Sequence, residues 1–125
     1  MLIDTDIIID CLRGYVPALQ FVRSMPEPFS ISAITVAEIV PALRDSAEKS
    51  AFASLLATVQ VLPVDGAIAE RAGSLFKQYR AAIPGLSLAD SIIAATAERN
   101  NVPLVALDAR NFPTVKKVIT PYRKT

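Results

Sequence analysis

The sequence predicts an α/β fold in which a parallel sheet of about five strands is flanked by helices. Short, continuous apolar runs recur along the 125 residues, and segments with helical spacing separate them. Strands buried on both faces of a parallel sheet have this apolar character, and parallel strands need long, usually helical, connections. No linker or repeat interrupts the chain, so we expect one domain over residues 1–125.

The predicted strands are short, continuous apolar segments. The first has the sequence "MLIDT", and the last, "KKVIT", is expected at the edge of the sheet. In chain order, the strands are expected at 1–5, 29–33, 59–64, 103–107 and 116–120.

The predicted helices begin at capping residues or at proline and end at residues that tolerate a left-handed backbone. Pro17 opens the second helix, and Pro41 should kink the third. Gly14 should end the first helix, and Asn100-Asn101 should end the last. In chain order, the helices are expected at 6–12, 17–24, 35–43, the apolar segment after 45, 67–83 and 88–99. The expected N-caps of the last four are Thr35, Asp45, Asp65 and Ser87.

Composition excludes several classes of function. The formal net charge of +1 argues against nucleic-acid binding by bulk electrostatics, although 13 Lys and Arg residues allow a local basic groove. No apolar run approaches the roughly 20 residues of a membrane span, and the first residues lack the features of a signal peptide. A single cysteine fits a reducing compartment. These features predict a cytoplasmic protein.

The sequence contains no histidine. This excludes Ser-His-Asp and Cys-His catalysis, cleavage of RNA by a histidine pair, and the commonest zinc sites. Cys11 has no base to activate it, and its apolar helical surroundings predict core packing. Catalysis would have to use carboxylates, hydroxyls, Lys and Arg, or a metal ion bound by oxygen atoms.

Four acids follow predicted strands or lie in a helix that leads into one. Asp4 ends the first strand, Glu38 lies one helical turn past the second, and Asp108 directly follows the fourth. Asp90 lies in the first turn of the helix before the fourth strand. Ligands bind beyond the carboxyl ends of strands in such folds, so all four acids can meet at one rim.

Such a cluster would be unstable without a counterion. Like charges about 4 Å apart repel by about 4 kcal/mol at an effective dielectric near 20. A hard cation with oxygen ligands, Mg²⁺ or Mn²⁺, would offset this repulsion and would suit phosphoryl transfer.

Each of three acids also has a structural alternative. Glu38 is third after Thr35 and Asp90 is third after Ser87, so both could complete a capping box. Asp108 could start a turn.

The remaining N-terminal acids are expected to be structural. Asp6 should cap the first helix, and Asp10 should be on the surface, solvated or paired with Arg13. Asp4 has no such explanation, because it follows apolar strand residues.

Four segments carry a resemblance to a known family. They are "LIDTDIIIDCLRG", "SAITVAEI", "LSLADSIIAATAERNNVPLVALDARNF" and "VITPY". In their order and spacing they resemble the PIN-domain family, and most of all the VapC-type toxins of toxin–antitoxin pairs. The resemblance covers nearly the whole chain and is poorest at about 44–75.

The resemblance implies an Mg²⁺- or Mn²⁺-dependent endoribonuclease that forms homodimers and is blocked by a cognate VapB-type antitoxin. The metal-binding catalytic acids that it implies are Asp4, Glu38, Asp90 and Asp108. Asp4 and Asp90 are the best-supported pair. The polar residues expected around the ligands are Thr5, Asp6 and Thr35. Basic residues that could contact RNA include Arg13, Arg44, Arg80 and Arg110.

Three other interpretations stay open. "DTD" after an apolar strand also resembles haloacid-dehalogenase-type phosphatases, with Asp4 as nucleophile and Asp6 as acid, but the lysine that such enzymes need is missing between Lys77 and Lys116. A non-enzymatic receiver-type signalling domain has a similar length and could use Asp65, but its adjacent acid pair is missing. A PIN domain that binds without cleaving is disfavoured by the intact acids.

Overall fold

A five-stranded parallel sheet forms the centre of the molecule in the computed structural model, which describes residues 1–124. The strand order is β3-β2-β1-β4-β5, and every neighbouring pair is parallel. The predicted α/β fold is therefore confirmed, with the fifth strand at an edge. The strands are shorter than predicted and span Leu2–Ile3 (β1), Ser30–Ser32 (β2), Gln60–Leu62 (β3), Leu104–Val105 (β4) and Val118–Ile119 (β5).

Within residues 1–124, six α-helices connect and cover the strands. They are Thr5–Leu12 (α1), Val16–Ser24 (α2), Ala33–Ile39 (α3), Ser46–Leu56 (α4), Gly66–Tyr79 (α5) and Leu88–Asn100 (α6). As predicted, the third helix changes at Pro41, where a 3₁₀ turn over Val40–Ala42 replaces α-helical geometry. Gly14 (φ +76°) and Asn101 (φ +51°) end α1 and α6 in left-handed backbone. No helix within residues 1–124 is long and apolar enough to cross a membrane.

The two faces of the sheet support two separate cores. Side chains alternate across a strand, so Leu2 and Ile3, both fully buried, point to opposite faces. Leu2 belongs to a cluster with α5 and α6, whereas Ile3 packs with α1, α3 and α4. Because helices cover both faces, polar ligands can reach the sheet only at the strand ends.

Two predicted N-caps are wrong, and both lie at the rim where the acids were expected. Helix α1 begins one residue early, because Asp4 rather than Asp6 is its N-cap. Helix α3 begins at Ala33 and is capped by Ser32, not by Thr35. Thr35 is instead fully buried inside the helix. The signal for the correct cap was the serine that ends the second apolar run, since Ser caps at least as well as Thr.

The other predicted caps are confirmed. Asp45, Asp65 and Ser87 each accept a hydrogen bond from the backbone N–H three residues ahead. These signals are local in sequence, because donor and acceptor belong to one turn.

Candidate active site

Asp4 lies at the carboxyl end of β1 and caps α1. Its Oδ1 accepts a hydrogen bond from the Thr5 backbone N–H at 2.8 Å, and the residue is only 7% exposed. Burial and the charge of Asp6 raise the Asp4 pKa to about 7; Asp90 and Glu38 add to the rise, and the Thr5 N–H opposes it. Of the three other acids predicted to meet Asp4 at this rim, Glu38 and Asp90 lie near enough for their charges to raise the Asp4 pKa, and Asp108 does not.

Glu38 extends from α3 towards Asp4 and is held by a hydroxyl. The Thr5 hydroxyl donates to Glu38 Oε1 at 2.7 Å and lies 3.0 Å from the Thr35 hydroxyl. Since the single Thr5 hydroxyl proton goes to Glu38, Thr35 is the donor in the second contact. Glu38 lies at the far end of its helix from the N-cap, so the capping-box alternative for Glu38 is excluded.

Asp90 forms the capping box that was its structural alternative. Its backbone N–H donates to Ser87 Oγ at 3.0 Å, and its Oδ2 accepts from the Ser87 N–H at 3.1 Å. The capping role does not remove its charge, which still raises the pKa of Asp4 and Asp6. Asp90 therefore caps α6 and also belongs to a group of acids at the carboxyl ends of the strands, here called the acidic rim (Asp4, Asp6, Glu38 and Asp90).

Asp108 follows β4, as the sequence predicted, and β4 is the neighbour of β1 in the sheet. Its carboxylate, however, is paired with the guanidinium of Arg110. Arg110 donates from Nε to Oδ1 and from Nη2 to Oδ2, both at 3.1 Å. The Arg110 side-chain hydrogen bonds lower the Asp108 pKa, although the pair is largely exposed. Asp108 is absent from the charges that raise the Asp4 pKa. The structure thus places Asp108 at the rim and pairs it with Arg110, not with the other acids.

Asp6 joins the acidic group instead of capping the helix. Partial burial of its carboxyl, followed by the charges of Asp90 and Asp10, raises its pKa, and Lys124 opposes the rise. Its side chain projects from the second residue of α1, two residues past Asp4, which has the extended backbone that a cap requires.

Asp10 is buried, not on the surface, and its partner is not Arg13. It is 8% exposed, and it accepts hydrogen bonds from Tyr122 Oη at 2.7 Å and Lys124 Nζ at 2.6 Å. The Arg13 guanidinium instead donates weakly to the Ala42 carbonyl. These partners come from the end of the chain, so no local pattern could have shown them.

Cys11 is half-buried and lies outside both buried core clusters, so the prediction of core packing is wrong in part. Burial, and then the charge of Asp10, raises the pKa of its thiol to about 11. The thiol is therefore protonated at neutral pH and is a poor nucleophile, as the absence of histidine suggested.

Apart from Asp108, the acids at the rim form no direct ion pair within residues 1–124. Residues 1–124 contain four ion pairs, and none of them involves Asp4, Asp6, Glu38 or Asp90. In the same part of the chain, no three Asp, Glu or Cys side chains converge as a ready-made metal-binding group. The donor atoms are all carboxylate or hydroxyl oxygens, which suit a hard divalent cation. These side chains therefore have the right donor atoms for such an ion, although they are not already assembled around one point.

One sizeable groove lies away from these acids. It has a volume of about 440 Å³ and is lined by residues that include Pro103, before β4, and Lys116 and Lys117, before β5. It is therefore at the amino ends of the strands, whereas Asp4 follows the carboxyl end of β1. Size alone does not identify the site in this molecule.

The parallel sheet with acids at its carboxyl rim corresponds to a known class. The PIN domain family matches residues 1–118, and the chain belongs to that family. Within it, the chain is similar to the VapC ribonucleases. Ribonuclease VapC10 of Mycobacterium tuberculosis is 34% identical over 124 residues, which cover 98% of this chain and 92% of the relative. Ribonuclease VapC19 of the same organism is 31% identical, with 97% and 98% covered.

Solved structures agree with this assignment. A toxin–antitoxin complex from Klebsiella pneumoniae contains a chain that is 30% identical, with a TM-score of 0.82 and 98% of both chains covered. FitAcB from Neisseria gonorrhoeae is 26% identical, with a TM-score of 0.76 and 96% of both chains covered. The resemblance found in the sequence is confirmed, and the phosphatase and receiver interpretations are not favoured.

Proposed function

We propose that this protein is a toxin ribonuclease that hydrolyses RNA phosphodiester bonds with the help of Mg²⁺ or Mn²⁺. The observation that carries the proposal is Asp4, a buried carboxylate among three other acids with no basic partner in residues 1–124. An uncompensated group of this kind costs free energy unless a cation joins it. The names of the ribonuclease relatives support the choice of RNA as substrate.

Asp4, Glu38 and Asp90 are the residues that we expect to hold the cation. Asp108 would join them by leaving Arg110, an exchange that costs little because the ion pair is exposed. When bound, Mg²⁺ or Mn²⁺ supplies electrostatic stabilisation of negative charge on the phosphate oxygens. Thr5 contributes orientation, since it donates to both Asp4 and Glu38. No histidine competes for a role as base or ligand.

We also propose that the chain acts in the cytoplasm, forms a homodimer and is neutralised by a VapB-type antitoxin. The Klebsiella pneumoniae relative is part of a toxin–antitoxin complex, which supports such a partner. An Arg or Lys of the antitoxin would be attracted to the uncompensated acids and would take the place of the cation charge. Expression of the protein alone should therefore be toxic, and co-expression with the antitoxin should relieve the toxicity.

Cleavage of RNA by the purified protein tests the activity. We expect cleavage with Mg²⁺ or Mn²⁺, loss of cleavage in EDTA, and loss of cleavage in Asp4→Asn with divalent cation present. Asp4→Asn serves as the control for contaminating nuclease, because it passes through the same purification. Equal cleavage by Asp4→Asn and the wild-type protein, or undiminished cleavage in EDTA, would contradict the proposal.

A further inference from the structure

The segment that follows β5 is fastened to helix α1 through Asp10. Tyr122 Oη and Lys124 Nζ each donate to one carboxylate oxygen of Asp10, at 2.7 and 2.6 Å. The Tyr122 ring also packs on Tyr15, with ring centroids 5.4 Å apart, and Lys124 Nζ lies 5.4 Å from the Tyr15 ring centroid. Hydrogen bonds to a charged, buried acceptor are among the stronger side-chain contacts. The cluster therefore fixes residues 120–124 in one place.

That place adjoins the acidic rim. Strand β5 ends at Ile119, and a groove of about 380 Å³ opens beyond it. The groove is lined by Leu107, Thr120, Tyr122, Arg123 and Lys124. Leu107 directly precedes Asp108, and the charge of Lys124 reaches Asp6. The groove thus lies at the carboxyl ends of β4 and β5, at the same edge of the sheet as the candidate site.

The basic groups of this segment differ from those named from the sequence. Arg44 and Arg110 are engaged by Glu48 and Asp108. Arg13 donates to a backbone carbonyl, and Arg80 lies over the Phe76 ring. Arg123, by contrast, is exposed and forms no ion pair within residues 1–124.

We propose that residues 120–124 form a basic wall of the RNA-binding groove, in which Arg123 binds a backbone phosphate and Asp10 is the positioning residue. This inference rests on the proposed function. The carboxylates of the rim repel RNA, so the attraction that brings a phosphate to the site must come from neighbouring cations. Arg123 lines the groove beside the rim, and its guanidinium matches the geometry of a phosphate. Lys124 adds charge there while it holds Asp10.

Binding of a fluorescein-labelled single-stranded RNA of mixed sequence, measured by anisotropy, tests the wall separately from cleavage. The measurement uses the cleavage-deficient Asp4→Asn protein, alone and with Arg123→Gln added. We expect Arg123→Gln to weaken binding about tenfold. The slope of log K against log salt should fall by about 0.7, because one phosphate contact is lost.

Arg99→Gln is the matched control. Arg99 is also exposed and free of ion pairs within residues 1–124, but it lies in the last turn of α6, at the amino ends of the strands. Its loss should change RNA affinity by less than about twofold and leave the salt slope unaltered. Equal effects of Arg123→Gln and Arg99→Gln would overturn the proposed wall.

The positioning role of Asp10 is tested through Tyr122→Phe, which keeps the ring and removes one hydrogen bond to Asp10. In the cleaving protein this change should raise KM a few-fold and leave kcat unchanged, and Lys124→Gln should do the same while Lys124→Arg restores KM. A fall in kcat at constant KM would contradict the role. If the wild-type protein binds RNA through Arg123 but never cleaves any RNA, the proposed ribonuclease function fails and the basic wall stands.

Discussion

The hydroxyl of Thr5 donates a 2.7 Å hydrogen bond to Oε1 of Glu38, joining the first turn of α1 to the end of α3. The backbone N–H of the same residue donates to Asp4. Two acids from separate elements are thus oriented by one residue, which is 5% exposed. Catalytic groups lose much of their effect when their supports are loosened, even by about 1 Å.

Thr5→Ala should therefore impair cleavage more than folding. It leaves the hydrogen bond to Asp4 but frees Glu38 and leaves the buried Thr35 hydroxyl without its partner, at a cost of about 1–3 kcal/mol. We expect RNA cleavage to fall about tenfold at a folded fraction close to that of the wild-type protein. Thr5→Ser keeps the hydroxyl and should restore most of the rate. Single-turnover cleavage and urea unfolding measure the two effects, and a wild-type rate in Thr5→Ala would contradict the orienting role.

The metal-free protein should lose stability as the pH rises towards neutrality. The Asp4 pKa is raised from 3.8 to about 7, mainly by burial. The folded state holds this proton more tightly than the unfolded state. The contribution of Asp4 to the free energy of unfolding is therefore complete below about pH 4 and is lost as the pH passes through 7. The pKa difference of about three units between the two states corresponds to at most about 4 kcal/mol in the free energy of unfolding.

Melting temperatures in EDTA between pH 5 and pH 8 measure this loss, with Asp4→Asn as the reference for all other titrating groups. The wild-type Tm should fall relative to that of Asp4→Asn as the pH increases. Mg²⁺ should raise the wild-type Tm more at pH 8 than at pH 5, because a cation needs ionised carboxylates. Parallel curves for the two proteins would show that Asp4 is not the responsible group.

Much of the rim could be predicted from the sequence because strand ends and helix caps are local features. Asp4, Asp90 and Asp108 each stand beside an apolar run, and parallel strands put their carboxyl ends at one edge. The start of α1 was predicted one residue too late, because Asp4 and Asp6 are both good capping residues. The choice between them depends on where β1 stops pairing with its neighbours, which is a property of the sheet.

The errors at Asp10 and Thr35 originate in contacts between distant residues. The two partners of Asp10 are 112 and 114 positions away, and Thr35 finds its hydroxyl partner 30 positions away. A periodic pattern carries no information about such contacts. Asp108 starts the 3₁₀ turn over Ala109–Asn111, as its structural alternative predicted, but the side-chain pairing with Arg110 within that turn was not predicted.

Releasing Asp108 from Arg110 should ease cation binding. In Arg110→Gln the carboxylate loses a bidentate partner that competes with the cation for the same oxygens. The pair is exposed, so we expect only about a twofold fall in the Mg²⁺ concentration that gives half-maximal cleavage, with little change in stability. A titration of cleavage with Mg²⁺ at saturating RNA measures this. A clear rise in the required Mg²⁺ would show instead that Arg110 supports the site.

Cys11→Ser should leave cleavage within a few-fold of the wild-type rate. Burial, and then the charge of Asp10, raises the thiol pKa to about 11, so the thiol stays protonated at neutral pH. The half-buried position predicts a small loss of stability, below about 1 kcal/mol. Cleavage rates before and after treatment with a thiol-alkylating reagent provide an independent measurement. Loss of activity in Cys11→Ser with a native melting curve would refute the assignment.

Asp90→Asn separates the two roles that the structure gives this residue. An asparagine caps a helix about as well as an aspartate, and its carbonyl oxygen can accept the Ser87 N–H that Asp90 Oδ2 accepts now. The amide carries no charge for a hard cation. We therefore expect an unchanged fold, a metal-free Tm equal to or slightly above that of the wild-type protein, and loss of most RNA cleavage and toxicity.

Asp65→Asn is the control that makes this result specific. Asp65 caps α5 through the backbone N–H of Ile68 at 2.9 Å, as Asp90 supports the start of α6, but its charge is absent from those that raise the Asp4 pKa. The same substitution at Asp65 should leave cleavage unchanged and alter stability by less than about 1 kcal/mol. If Asp90→Asn and Asp65→Asn cleave RNA equally well, the charge of Asp90 has no part in the reaction and the residue is only a helix cap.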